Sequence, residues 1–179
     1  MPLTADALLA FLAENDIPAE TFHHPALHTV EESKALRGVL PGVQTKNLFL
    51  RDGKKNLYLV TLAEDAALNL KSLRTPLGAR GGLSFASADL LMAHLGVMPG
   101  SVTLLALVND RERRVRVALD ASLMQADGIG CHPLTNERTT VLSPQALATF
   151  FALTGHEPVI LDLDALAAAM AAEKQNAAG

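Results

Sequence analysis

Cysteine is nearly absent from this 179-residue chain: Cys131 is the only one, which excludes an internal disulfide and fits a reducing compartment. No apolar run approaches the roughly twenty residues of a membrane span. The opening stretch, Met1 to Asp6, lacks a basic region followed by a long apolar one, so no signal peptide is expected. A cytoplasmic location follows as the expectation. Excess positive charge is also missing. A net charge of −4 argues against a protein that coats nucleic acid by bulk electrostatics, so neither DNA nor a membrane is an expected partner. Local basic clusters remain, at Lys71, Arg74 and Arg80 and again at Arg111, Arg113, Arg114 and Arg116.

The usual catalytic signatures are missing too. There is no Gly-x-Ser-x-Gly elbow, no Walker loop, no Gly-x-Gly-x-x-Gly, no Cys-x-x-Cys and no His-Glu-x-x-His. His23, His24 and His28 crowd together, but Pro25 interrupts any helix that would align two of them on a metal. His94 and His156 read as structural or exposed. Cys131 adjoins His132, and a thiol nucleophile beside an imidazole is conceivable. Neighbours on a strand point to opposite faces, however, which favours a buried Cys131 with His132 turned to a cleft. No metal or cofactor is expected.

What is present is the pattern of one globular domain over residues 1–179, with no repeat, linker or compositional break. Thr4 caps an amphipathic helix with Leu8, Leu9, Phe11 and Leu12 on its apolar stripe. Thr29 to Glu32 is a capping box opening a second helix through about Arg37, which Gly38 and Pro41 end. Asp52-Gly53 joins two β-patterned runs, about residues 43–62, as a hairpin. Short elements follow: a helix over Leu68–Leu73, a strand over Gly82–Ala86, and a helix from Ser87 to Leu95 closed by Gly96. The apolar run Val102–Val108 and the alternating run Arg114–Leu119 read as two strands of a hairpin linked at Asp110 and Arg111. Ser143-Pro144 opens a further helix. Irregular alternation with several hairpins predicts an α+β fold, a mixed, mostly antiparallel and partly closed sheet with helices packed outside.

The chemistry-bearing candidates lie on this frame. Lys46 and Asn47 stand at the start of the first hairpin strand. Lys46 is either a surface charge or a cation held at the mouth of a pocket for an anionic ligand. Gly128, Gly130, His132 and Pro133 form a segment where bare backbone can approach a ligand closely. Ser101 precedes the apolar run and Asn109 ends it. Gly78 to Gly82 displays Arg80. The residues themselves point to a small-ligand or ester-binding pocket.

Several blocks carry a resemblance: Thr45-Lys-Asn-Leu-Phe-Leu-Arg-Asp52, Leu57-Tyr-Leu-Val60, Leu83-Ser-Phe-Ala-Ser87, Pro99 to Asn109, and Gly130-Cys-His-Pro-Leu-Thr-Asn136. In this order they resemble the prolyl-tRNA synthetase-associated editing domain superfamily, also called YbaK-like, over about His23 to Asp162. The resemblance is strongest to free-standing prolyl-tRNA deacylases that remove alanine from tRNA(Pro). It implies a trans-editing hydrolase, with the acceptor end of mischarged tRNA(Pro) as substrate and prolyl-tRNA synthetase as a further partner. Editing at a second site is the physical remedy where a synthetase pocket discriminates a smaller side chain only weakly. The family's essential lysine falls on Lys46, which would hold the terminal phosphate or ester region. Alternation turns Asn47 to the other strand face. Gly130 and His132 match the pocket loop that limits or orients the aminoacyl group, and Arg80 matches a loop near the acceptor stem. The family is held to need neither protein nucleophile nor metal, because the ester is already activated and the terminal ribose offers a neighbouring hydroxyl. Clearance of cysteine or another small residue, and a non-catalytic tRNA- or synthetase-binding module, stay open as alternatives.

Overall fold

A computed structural model of the chain describes residues 1–27, 29–35 and 39–178. The elements run α1 (Ala5–Glu14), β1 (Ala19–His23), α2 (Val30–Ala35), β2 (Val43–Arg51), β3 (Leu57–Ala63), α3 (Arg74–Leu77), β4 (Ser84–Phe85) and α4 (Ala88–Leu95). They continue with β5 (Val115–Asp120), β6 (Ile129–Cys131), β7 (Arg138–Leu142), α5 (Pro144–Thr154), β8 (Val159–Leu161) and α6 (Leu163–Ala177), with short 3-10 helices between.

Local chemistry sets most helix starts. Thr4, Ser87 and Ser143 each accept the N–H of the residue three positions on, at 3.2, 3.3 and 3.1 Å. The Thr29–Glu32 capping box is reciprocal, with both bonds at 3.1 Å. The expected continuation of α2 through Arg37 and its stop at Gly38 lie outside the described residues.

The fold is α+β, built on one eight-stranded mixed sheet ordered β1-β7-β6-β2-β3-β5-β8, with β4 paired to β2. The outer strands β1 and β8 do not pair with each other, so the sheet is open and the expected partial closure is absent. Antiparallel pairings hold β1–β7, β2–β3, β2–β4 and β6–β7, while β2–β6, β3–β5 and β5–β8 are parallel. β2 is therefore the strand on which the two halves of the sheet meet.

Both faces of the sheet are covered. Phe49, Leu59, Val117, Leu119, Ile129 and Cys131 enter one core with Leu8 and Leu12 of α1 and Phe150 of α5. Leu50, Tyr58, Val60 and Leu62 enter a second core with Leu73, Leu77 and Leu161, against which Leu48 and Leu166 pack. Side-chain alternation along β2 and β3 divides the cores in this way.

Two expectations need correction. The run Val102–Val108 is not a strand: Leu104–Asn109 forms a 3-10 helix capped by Thr103, with Leu104 to Leu107 all buried. An unbroken apolar run carries no period, and burial on all sides satisfies a helix as well as a strand. In consequence Arg114–Leu119 has no hairpin partner there, and β5 pairs in parallel with β3 instead. The Asp52-Gly53 turn does close the β2–β3 hairpin, but Lys55 takes the left-handed conformation, at φ 67°. Gly53 is needed for close approach: a Cβ there would stand 3.0 Å from the Arg80 carbonyl oxygen.

Candidate active site

Lys46 lies on the half of β2 that joins β6. Its side chain shares a face with Leu48 and Leu50, and its ammonium donates to the main-chain carbonyl of Ala66. The group is half-buried rather than free in solvent. The parallel ladder sets Val43 against Ile129 and Gln44 against Gly130. One pleat further along each chain come Lys46 and His132, so both side chains project from the same face of neighbouring segments. The opposite face carries Thr45 and Cys131. Thr45 Oγ1 donates to the Gly130 carbonyl at 2.7 Å, and Cys131 is sealed in the core.

Cys131 is thereby unsuited to nucleophilic work, because burial pushes its thiol up to about 12. His132 is differently placed. Its Nδ1 lies 3.1 Å from the Arg138 carbonyl oxygen. Burial holds the ring below the usual histidine range, with His24 acting the same way, against the opposing bond to Arg138 and the Glu64 carboxylate. His24 is anchored by Thr139 Oγ1 at 2.9 Å from its Nε2, and its ring centroid lies 6.4 Å from that of His132.

A crevice of about 20 Å³, the space of roughly one water molecule, opens among Leu27, Leu40, Gln44, Gly130, His132 and Thr139. Gly130 borders it with main chain alone. Its main chain runs between β2 and β7, and the Gln44 carboxamide covers its Cα. Among the described residues no three His, Cys, Asp or Glu side chains gather as a metal site.

The remaining candidates fall elsewhere. Asn47 faces away from Lys46 and accepts the buried Thr61 hydroxyl at 2.7 Å, tying β2 to β3. Arg80 is exposed, and its N–H donates to Asp52 Oδ2 at 2.9 Å. That puts its loop at the hairpin tip, about 20 Å from Lys46 at roughly 3.3 Å per strand residue. Ser101 closes a turn through its N–H onto Met98 O at 3.0 Å. Asn109 is a clip: its Oδ1 accepts Leu3 N–H at 2.8 Å and its Nδ2 donates to Leu95 O at 2.9 Å.

Lys71 and Arg74 line a broad groove of about 1250 Å³ against Leu166, Met170 and Glu173 of α6. The second basic cluster is engaged locally, Arg116 over the Tyr58 ring at 5.9 Å and Arg114 on Glu112 at 3.1 Å. Sequence reasoning passed over Gln44, which the alternation from Lys46 could have found two positions upstream.

The family model of the aminoacyl-tRNA editing domain matches residues 24–150 of the chain. The protein belongs to that family. It is 42% identical over 156 residues to the prolyl-tRNA synthetase associated domain-containing protein 1 of Danio rerio, covering 86% of this chain and 84% of that one. It is 33% identical over 151 residues to the prolyl-tRNA editing protein ProX of Acetoanaerobium sticklandii, covering 84% of this chain and 92% of the relative. A crystal structure described as a proposed trans-editing enzyme for prolyl tRNA synthetase superposes with a TM-score of 0.67 at 20% identity, over 89% of this chain and 98% of the other, a likeness of fold. No helix among the described residues is long and apolar enough to cross a membrane.

Proposed function

We propose that the chain is a trans-editing deacylase, a single domain that hydrolyses the ester of alanine mischarged onto tRNA(Pro). The observation that carries this reading is the shared face of Lys46 and His132, with His132 lining a crevice of one-water size. The editing-family membership and the prolyl-tRNA names of the relatives supply the substrate class.

An aminoacyl ester needs no protein nucleophile, since water attacks it once the carbonyl is polarised and the geometry fixed. Lys46 exchanges its bond to the Ala66 carbonyl for the terminal phosphate or the ester oxygen, a charge-assisted contact that strengthens as negative charge develops. His132 borders the aminoacyl group. With its Nδ1 directed at a carbonyl, its Nε2 lone pair is the ring's acceptor toward the α-amine or the attacking water. The tight crevice favours alanine over proline by size. Arg80, at the hairpin tip, is too remote for the ester and, with Lys71 and Arg74, suits the RNA backbone leading away from it. Prolyl-tRNA synthetase is the proposed source of the mischarged substrate, and the cytoplasm the proposed compartment.

A panel of tRNA(Pro) charged with alanine, cysteine or proline tests this directly. Alanine is expected to be released fastest, and Lys46→Ala to lower that rate by about 10²–10³ with unchanged circular dichroism and melting temperature. Near-normal turnover by Lys46→Ala would overturn the lysine assignment. Faster release of cysteine than alanine would move the substrate.

A further inference from the structure

We infer that Gln44 is the specificity-determining wall of the crevice and that Gly130 is a glycine in order to seat it. This rests on the editing function proposed above and assigns a residue to its substrate discrimination. Gln44 and Gly130 are direct partners in the parallel β2–β6 ladder, so a side chain at 130 would rise beside that of Gln44. A Cβ built on Gly130 stands only 2.6 Å from Gln44 Oε1, 2.7 Å from Nε2 and 2.8 Å from Cδ. The carboxamide therefore lies flat across the glycine, in space that any other residue at 130 would claim.

One bond holds this posture, Gln44 Nε2 donating to the Pro41 carbonyl at 3.3 Å. The backbone beneath it is held by Glu64 N–H on the Gln44 main-chain carbonyl at 2.9 Å and by Thr45 Oγ1 on the Gly130 carbonyl at 2.7 Å. Gln44 is half-exposed and lines the crevice together with His132 and Thr139. It also precedes Lys46 by two positions and so shares its face. A group held at Lys46 thus has Gln44 as its immediate neighbour along the strand. In a space of about 20 Å³, the bulk of one carboxamide decides whether a methyl group or a longer side chain fits.

The test compares release of alanine and of 2-aminobutyrate, one methylene larger, from the same tRNA(Pro). One methylene in a fitted pocket changes kcat/KM by about tenfold or more. Gln44→Ala is expected to raise the ratio of 2-aminobutyrate to alanine release by about tenfold, whereas Gln44→Met, of similar volume, keeps the original ratio. Gly130→Ala is expected to lower alanine release by displacing the carboxamide, and Gln44→Ala in the same chain to restore it by vacating the space. Turnover with a ratio unchanged in Gln44→Ala overturns the wall. Loss of discrimination in Gln44→Met as complete as in Gln44→Ala overturns its steric basis. No release of any amino acid by the unsubstituted protein overturns the editing function and this assignment together.

Discussion

His132 Nδ1 faces the main-chain carbonyl oxygen of Arg138 at 3.1 Å. A carbonyl only accepts, so the ring proton sits on Nδ1 and Nε2 carries the lone pair.

Burial keeps this imidazole neutral below the ordinary histidine value of 6.5, with His24 adding to the effect and Glu64 opposing it. The expected profile of kcat/KM for deacylation is flat through neutral pH, with an acid limb lying below 6.5. The same shift has a sign for stability. As pH falls from 6.5 through the lower folded-state value, the unfolded chain takes up a proton that the folded chain refuses, so stability declines with acid. Measuring kcat/KM and the urea midpoint between pH 5 and pH 8 checks both, and His132→Gln should remove the acid limb.

Cys131 should be silent toward thiol reagents in the folded protein. Its thiol is buried and pushed up to about 12, so almost no thiolate exists at pH 8. Iodoacetamide labelling followed by mass spectrometry is expected to track the unfolding transition in urea. Rapid modification in buffer alone would contradict the packing.

Asp52 organises the tip of the hairpin. Its carboxylate accepts Lys54 N–H and Asn56 N–H at 2.9 Å, Asn56 Nδ2 at 2.8 Å, the Tyr58 hydroxyl at 3.0 Å and Arg80 N–H at 2.9 Å. Burial alone would raise the carboxyl. The donors from Arg80, Asn56 and Tyr58 outweigh it and hold the group well below the usual carboxylate range. Asp52→Ala strands these donors, at a cost of about 3 kcal/mol. For a chain of this size that corresponds to a melting temperature lower by about 6–12 °C, which calorimetry would read.

Asp110 holds the start of β5, accepting Val115 N–H at 2.8 Å, Arg114 N–H at 3.0 Å and buried His156 through Nε2 at 3.1 Å. Burial again opposes ionisation, and the bonds from His156, Val115 and Arg114 prevail, so its carboxyl is lowered from 3.8. The stability this provides is complete above 3.8 and is lost as pH falls through the folded value. Asp110→Ala is expected to cost about 3 kcal/mol at pH 7, because it leaves buried N–H donors unsatisfied. Urea titrations at pH 7 and pH 3 should show the difference between the variant and the parent shrinking in acid.

The caps at Thr4, Ser87 and Ser143, the Thr29–Glu32 box and the β2–β3 hairpin were all legible, because their signals lie within a few residues. The buried Cys131 and the outward His132 followed from simple alternation. The parallel pairing of β5 was not legible, since nothing local tells Arg114–Leu119 that β3 is its partner. The 3-10 helix at Leu104–Asn109 escaped because a run buried on every side has no period. Asn109 drew attention as a polar residue after an apolar run, yet its amide bonds to Leu3 and Leu95, chosen by tertiary contact. Gln44 escaped for the opposite reason: its partner Gly130 lies 86 positions away in sequence, and only the sheet brings them together.

β2 drives Leu50 into one hydrophobic layer and Phe49 into the other. The backbone beneath the lysine is consequently gripped from above and below. Selectivity in such a scaffold is open to revision by exchanging side chains at even-numbered positions, and closed to insertions. One extra residue between positions 43 and 48 would invert the pleat, turning the ammonium toward the aliphatic interior and exposing Thr45 in its stead.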